Sequence, residues 1–333
     1  MIPSPATPRP LTVRYLSRAD VEAAGVTMRE VIDAVQTGFL EKGNGRVEMP
    51  PKPGVHPGAG DNFIHAMPAY IPEMKAAGMK WVGGYPGNQK RKLPYITGLM
   101  IMNDPETGLP LAVMDCTWIT AKRTGAATAV AAKYLARKDS VTVAILACGV
   151  QGRSNLEALL AVLPGIKEVR AYDAFPEVQK KYLQDAKEQY GLTATSAKDV
   201  QDAVRGADVI VSSGPILRDP TPALRLDWIK PNAFISPVDF DSYVQPEVFK
   251  KADKLYTDDV GQQAYYVKAG YFKQTPTPMG DLGELVSGKK PGRQSDRELT
   301  ISVNLGLALE DIAVGIQVLR AAEKKGIGTL LNS

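Results

Sequence analysis

Residues 28–42 carry apolar side chains at Val31, Ile32, Val35, Phe39 and Leu40, a helical spacing that predicts an amphipathic helix. Before it, residues 13–16 read as a short strand, and Ser17 reads as the cap of another helix. Residues 43–60 are rich in glycine and proline and read as loop. Four strand-like runs follow at 62–71, 77–83, 96–103 and 110–116. The turn N-D-P-E-T-G at 103–108 joins the last two as a hairpin. Together these runs predict an antiparallel sheet in an α+β unit. Residues 119–135 then form a long helix of alanine and threonine, with Arg123 near its start. Such small side chains let another helix or a ligand approach closely.

Beyond that helix, strands and helices alternate, as in a parallel α/β sheet. A helix is expected at 199–204 and strands at 208–212, 233–237 and 254–257. Residues 300–325 read as a long helical segment ending at Gly326 and Gly328, which can return the chain to its first unit. Within this half, residues 141–173 carry the most specific pattern. Residues 141–146, V-T-V-A-I-L, form a β-branched apolar run of the kind buried in a parallel strand. A tight turn with Ala147, Gly149 and Gly152 follows, and residues 151–163 open a helix with Leu156, Leu159, Leu160 and Leu163 on one face. A second strand at 169–172 ends in Asp173. This is the strand–turn–helix–strand–acid order of a dinucleotide site, with alanine for the first glycine. Small residues let the backbone approach the phosphates, and the helix N-terminus offers free N–H groups. An acid in the position of Asp173 accepts from the ribose hydroxyls of NAD, and Ala174 and Phe175 after it supply no arginine for a 2′-phosphate. NAD is therefore expected over NADP. The plainer alternative is an ordinary βα turn with Asp173 as a solvated cap.

Composition narrows the class further. A chain of 333 residues with 44% hydrophobic and 23% charged residues is globular and long enough for two domains. The net charge of +4 is dispersed, with no basic stripe, so nucleic acid is not an expected partner. No apolar run is long enough to span a bilayer. Residues 1–10 hold four prolines and read as a loose leader rather than a signal peptide. Cys116 and Cys148 read as reduced thiols of a cytoplasmic protein. His56 and His65 form no metal-ligand pattern, and no metal is expected.

Four segments resemble the ornithine cyclodeaminase/mu-crystallin family. They are G-M-K-W-V-G-G-Y-P-G-N at 78–88, the run L-P-L-A-V-M-D-C-T-W-I-T-A-K-R-T-G-A-A-T-A-V-A-A at 109–132, G-E-L-V-S-G-K-K-P-G-R at 283–293 and G-L-A-L-E-D at 306–311. The resemblance covers nearly the whole chain. It implies an α/β fold, a Rossmann NAD(P)-binding domain at 131–311 and a discontinuous α+β substrate and dimerisation domain at 1–130 and 312–333. It also implies a homodimer whose first-domain sheets pair. Carried over by position, Arg46, Lys80 and Arg123 resemble the family's substrate-carboxylate site. Thr124, Gly149, Val150 and Gln151 resemble its phosphate site, and Asp173 its ribose acid. Ser212, Val238 and Asn304 fall beside the cofactor, with Ser212 in the place of a threonine and Asn304 in the place of a serine. The segment S-P-V-D-F-D at 236–241 places Asp241 at the catalytic acid, and Asp239 stands where the family commonly has glycine. Tyr95 falls where a threonine is frequent.

These groups suit C–N chemistry on an α-amino or α-imino acid. A guanidinium binds a carboxylate bidentately, so Arg46 and Arg123 are candidate anchors, against surface ion pairs as the plain alternative. Lys80, between strand-forming residues, would be half buried and could hold the carboxylate or polarise the reacting carbon, against a lysine reaching out from a sheet edge. Asp241 could shuttle a proton to the substrate nitrogen, against a turn acid. His65 reads as structural rather than catalytic, with lining the pocket as the alternative. The expected function is an NAD-dependent amino-acid dehydrogenase or imine reductase. An ornithine cyclodeaminase is the alternative, and it needs an acid for the distal amine, for which Glu48 and Asp61 are at hand. A mu-crystallin-like ligand-binding protein is the third reading.

Overall fold

The computed structural model describes residues 11–58 and 60–332. The expectation of a loose leader at 1–10 lies outside the described residues. The first half of the chain holds β1 (Thr12–Leu16), α1 (Arg18–Ala23), α2 (Met28–Gly43), β2 (Gly54–Val55), β3 (Phe63–Ile71), β4 (Ala76–Gly84), β5 (Ile96–Asn103) and β6 (Pro110–Asp115). Both early helices start in capping boxes, Ser17 with Asp20 and Thr27 with Glu30, so their first N–H groups are satisfied before any packing. On α2, Val31, Ile32, Val35 and Phe39 are fully buried, whereas Leu40, expected on the same face, is 39% exposed.

The second half begins with α3 (Thr117–Leu135) and continues through β7 (Thr142–Leu146), α4 (Val150–Val162), β8 (Glu168–Tyr172), α5 (Pro176–Tyr190) and β9 (Thr193–Ser196). Next come α6 (Val200–Val204), β10 (Val209–Ser212), β11 (Phe234–Pro237), α7 (Pro246–Lys251), β12 (Lys254–Thr257), α8 (Val260–Lys268), β13 (Gly280–Asp281) and α9 (Leu282–Val286). The chain ends in β14 (Thr300–Val303), α10 (Ala308–Lys325) and β15 (Thr329–Asn332).

Two sheets result. The first has the order β15-β1-β6-β5-β4-β3-β2, so the last strand of the chain pairs with the first. Strands β2 to β6 are antiparallel as expected, but β1 runs parallel to β6, so the sheet is mixed. The second sheet has the order β13-β12-β14-β11-β10-β7-β8-β9 and every pair is parallel. The sequence direction reverses between β7 and β10, which opens a crevice at the carboxyl ends of those strands.

The expected helix over 300–325 is two elements. Thr300–Val303 is a fully buried strand between β11 and β12, and the helix starts only at Ala308. A short apolar run buried on both faces has no periodicity to separate strand from helix, and the pairing with two neighbours decides it.

Helices α3 and α10 pack between the sheets. Gly125 of α3 lies so close to α4 that an added Cβ would stand 2.4 Å from the Ser154 carbonyl oxygen. The alanine and threonine side chains of α3 make this approach possible. Lys80 and Arg123 reach the first turn of α10 from β4 and α3.

Candidate functional site

The crevice at the end of the parallel sheet opens into a cleft that runs across to the first sheet, with room of about 180 Å³ for water-sized occupants. On the second-sheet side, Ala147 follows β7 with φ +72°, in the left-handed region where the expected fingerprint has glycine. Gly152 is required next to it, because a Cβ there would stand 2.5 Å from the Ala147 oxygen. Gly149 precedes α4 with no side-chain cap, which leaves the helix N-terminus open to an anion. The Gln151 side chain lines the cleft, and its buried Oε1 has no hydrogen-bond partner. Asp173 directly follows β8 and accepts from the Cys148 and Phe175 N–H groups at 2.7 and 2.8 Å, which aims its carboxylate at the turn. Bare helix N–H groups and a glycine where a Cβ would clash fit a dinucleotide phosphate, and the unpartnered Gln151 Oε1 can accept from a hydroxyl or amide donor of a ligand.

On the first-sheet side three cations meet. Lys80 of β4 is fully buried and its Nζ lies 2.6 Å from Asp311 Oδ2 and 3.3 Å from Thr120 Oγ1. Arg123 donates from Nη1 to Glu310 Oε2 at 2.9 Å and from Nε to Asp311 Oδ1 at 3.1 Å. Its guanidinium packs against Gly306, where a Cβ would come within 2.2 Å of Nη1. Lys52, from the loop before β2, donates to the Leu305 and Gly306 carbonyls at 2.9 and 3.0 Å and sits 5.2 Å from the Tyr266 ring centre. The N–H groups of Leu305 and Gly306 donate to Asp258 Oδ2, both at 2.7 Å. One peptide pair therefore holds a cation on one side and an acid on the other.

Burial is the dominant influence on these groups. It lowers the pKa of Lys52 to about 7, helped by Arg123 and Lys80 and opposed by Asp258. It raises Asp258 to about 8 and also raises Glu310, whose Oε1 has no partner. Burial lowers Lys80 too, against the pull of Asp311. Arg123 is raised, because Asp311 and Glu310 outweigh the burial that opposes them. His65, stacked on Phe63 at 4.4 Å, is held neutral by burial and by Lys52, with its pKa lowered to about 3.

Of the residues expected at the site, Lys80, Arg123, Thr124, Gln151, Val238 and Asn304 line this cleft. Gly149, Val150 and Asp173 stand at the turn beyond it. Ser212 is fully buried behind the wall, where its hydroxyl donates to Asp239. Two placements differ from expectation. Arg46 does not line the cleft: it pairs with Glu41 in the last turn of α2, and its side chain is 54% exposed. Asp241 faces a neighbouring cavity shared with Phe272, Lys273 and Thr275, and accepts from Thr275 Oγ1 at 3.2 Å. The turn 238–241 carries Phe240 at φ +63°, which points Val238 and Phe240 at the cleft and turns the acids away from it.

Lys52 is the cleft residue that the sequence reading passed over in favour of Arg46. Its signal was M-P-P-K, a lysine fixed by prolines with no acid within four residues on either side except Glu48. Asp258 and Glu310 were likewise not singled out for chemistry, since an acid's burial depends on elements distant in sequence.

An all-parallel doubly wound sheet, a glycine turn opening a helix and an acid after the next strand define a Rossmann-type nucleotide-binding protein, here joined to a second sheet that supplies basic side chains. The chain belongs to the ornithine cyclodeaminase/mu-crystallin family, whose model matches residues 13–326. It is 37% identical to the alanine dehydrogenase of Archaeoglobus fulgidus, with 94% of this chain and 96% of the relative covered. It is 33% identical to a nodulation efficiency protein of Rhizobium meliloti, covering 96% of this chain and 98% of that protein. Among solved structures, the Thermococcus litoralis Delta(1)-pyrroline-2-carboxylate reductase in complex with NADH and L-proline superposes with a TM-score of 0.86 at 33% identity, covering 95% and 99% of the two chains. An archaeal alanine dehydrogenase dimer with bound NAD gives 0.85 at 35% identity, covering 96% and 99%.

Proposed function

We propose that this chain is an NAD-dependent oxidoreductase acting on the C–N bond of an amino or imino acid, of the amino-acid dehydrogenase or ketimine reductase type. The observation that carries this reading is the meeting of Lys52, Lys80 and Arg123 in a cleft that is also lined by Gln151 of the dinucleotide turn and by Val238 and Asn304 at the carboxyl ends of β11 and β14. The similar proteins named alanine dehydrogenase and pyrroline-2-carboxylate reductase support it.

The turn at 147–152 and Asp173 would hold NAD(H), which when bound would supply or receive the hydride. The chain's own residues do the rest. Arg123, packed against Gly306, keeps its Nη2 N–H edge for the substrate carboxylate, while Glu310 and Asp311 engage Nη1 and Nε and keep it oriented. Lys80, fixed between Asp311 and Thr120, brings a cation to the reacting carbon's substituents. Lys52, whose proton is exchangeable near neutrality, is the group in the cleft suited to pass a proton to or from the substrate nitrogen. Asp241 would have to rotate out of its own cavity to do so. The aromatic wall of Phe63, Tyr95, Phe240, Tyr266 and Tyr271 excludes water and receives the substrate side chain.

The proposed domain division takes 131–311 as the dinucleotide unit and 1–130 with 312–333 as the substrate unit. The protein works as a homodimer. Trp81 and Leu99, neighbours across β4 and β5, are 47% and 45% exposed, and Tyr15 and Leu111 extend the same outer face of the first sheet. An apolar sheet face of this extent needs a partner. Among the described residues no helix is long and apolar enough to cross a membrane.

The test is a panel of 2-oxo acids with amines, cyclic imines and amino acids, followed by NADH absorbance and product mass. A stoichiometric change in NADH with any of them supports the reading. Proline from ornithine with no net NADH change would replace it with the cyclodeaminase, for which Asp61, on the cleft wall, is the acid to hold the distal amine.

A further inference from the structure

Asp239 is fully buried, and both of its oxygens are engaged. Ser212 Oγ donates to Oδ1 at 2.8 Å, and the Gly214 N–H donates to Oδ2 at 2.9 Å. Ser212 ends β10 and Gly214 lies in the loop after it, whereas Asp239 follows β11. The two strands are parallel neighbours, and the Val238 N–H donates to the Ser212 carbonyl at 2.9 Å as their ladder ends. The Asp239 carboxylate thus adds a side-chain link just beyond the last backbone rung, where the two loops would otherwise separate.

What those loops present is the cleft wall itself: Gly214 and Ile216 from one, Val238 and Phe240 from the other. Phe240 sits at φ +63°, a conformation a bulky residue keeps only when its surroundings hold it. Its ring stacks on Phe272 at 5.0 Å, which fixes the outer side of the turn, and Asp239 fixes the inner side. The Tyr243 ring closes over Gly214, where a Cβ would come within 2.3 Å.

We propose that Asp239 is a positioning residue, whose carboxylate fastens the loop after β10 to the turn after β11 so that Gly214, Val238 and Phe240 stand as one wall against the nicotinamide end of the bound dinucleotide. This rests on the NAD reading of the cleft. Full burial with two protein donors also removes Asp239 from the candidates for a proton carrier. An amide of the same shape can keep both links, its oxygen accepting from the Gly214 N–H and its nitrogen donating to Ser212 Oγ. A methyl group keeps neither and leaves a buried N–H without a partner.

The experiment compares wild type, Asp239→Asn and Asp239→Ala in the full-length protein, titrated with NADH and with ADP-ribose, which lacks the nicotinamide. Dissociation constants come from fluorescence and calorimetry, with Tm recorded alongside. Asp239→Ala should weaken NADH binding by about tenfold, the scale of one buried hydrogen bond. ADP-ribose binding should stay within about twofold, because the adenosine side is held elsewhere, and Asp239→Asn should restore most of the loss. If Asp239→Ala lowers Tm while NADH and ADP-ribose affinities keep their wild-type ratio, Asp239 only stabilises the fold and the proposal is overturned. Should Asp239→Ala fail to fold, Ser212→Ala removes one of the two links, and an unchanged NADH to ADP-ribose ratio there overturns it as well. Wild-type protein that binds neither ligand would instead remove the NAD reading of the cleft, and this inference with it.

Discussion

Lys80 Nζ and Asp311 Oδ2 lie 2.6 Å apart with both side chains buried, and the other oxygen of the same carboxylate accepts from Arg123 Nε at 3.1 Å. One acid on the first turn of α10 therefore sets the positions of two cations that come from β4 and α3. Removing one partner of such a pair leaves an uncompensated buried charge.

Asp311→Asn should accordingly destabilise the protein by about 3–5 kcal/mol, the usual cost of breaking a buried ion pair. It should also raise KM for the carboxylate substrate, since Lys80 and Arg123 lose their common orienting group. Urea unfolding and initial rates measured on the same preparation check both. Wild-type stability in the variant would mean that the pair is dispensable to the fold.

Lys52 gives the cleft a titration near neutrality. With a pKa lowered to about 7 it is a cation below that pH and a neutral amine above it. In the reductive direction the protonated amine both attracts the substrate carboxylate and supplies the proton, so kcat/KM for imine reduction should fall as pH rises through about 7, and Lys52→Met should remove that limb of the profile. The linked stability effect has the opposite direction. The unfolded lysine keeps its proton up to the ordinary value of 10.5, so the unfolded state binds more protons between about 7 and 10.5 and stability from this residue rises across that window. A kcat/KM that is flat from pH 6 to 9 would argue against any role for the Lys52 charge.

The proton carrier is separable by mutation. Lys52→Met should reduce turnover by roughly two orders of magnitude, the common scale for losing a general acid or base. Asp241→Asn, which replaces an acid already hydrogen-bonded to Thr275 in a different cavity, should cost less than about tenfold. A hundredfold loss in Asp241→Asn would assign the proton to Asp241 and require the 238–241 turn to swing over the substrate.

Cofactor choice rests on Asp173, which is fixed by two backbone N–H groups and followed by the exposed Phe175. A 2′-phosphate would meet this carboxylate with no arginine at 174 or 175 to offset it. NADH should exceed NADPH in kcat/KM by at least about tenfold, and Asp173→Ala should narrow the gap mainly by weakening NADH. Steady-state rates with both cofactors decide it, and a preference for NADPH in the wild type would sink the assignment.

Association can be tested on the outer face of the first sheet. Trp81→Glu with Leu99→Glu places two charges side by side on that face. Light scattering at micromolar concentration should show a dimer for wild type and a monomer or soluble aggregate for the pair. A wild-type monomer would leave the apolar face unexplained.

Local patterns in the sequence carried much of this molecule. The 3.6-residue spacing in α2, the capping residue Ser17, the apolar run of β7, the glycine turn and Asp173 all act within a few residues of themselves, so they are legible in one dimension. Arg123 and Lys80 were legible as cations in apolar settings. What the tertiary structure decided depended on partners far away in the chain. Thr300–Val303 is a strand only because β11 and β12 flank it, and β1 is parallel to β6 although its neighbours in the sheet are antiparallel. The choice between Arg46 and Lys52 was tertiary as well: both sit in one loop, but Glu41 keeps Arg46 at the surface while the carbonyls of Leu305 and Gly306 draw Lys52 into the cleft. The acids at 239 and 241 turned away from the cleft because Ser212, Gly214 and Thr275 receive them there. A charged side chain takes the position where its desolvation is best compensated, and the compensating group can come from any part of the chain.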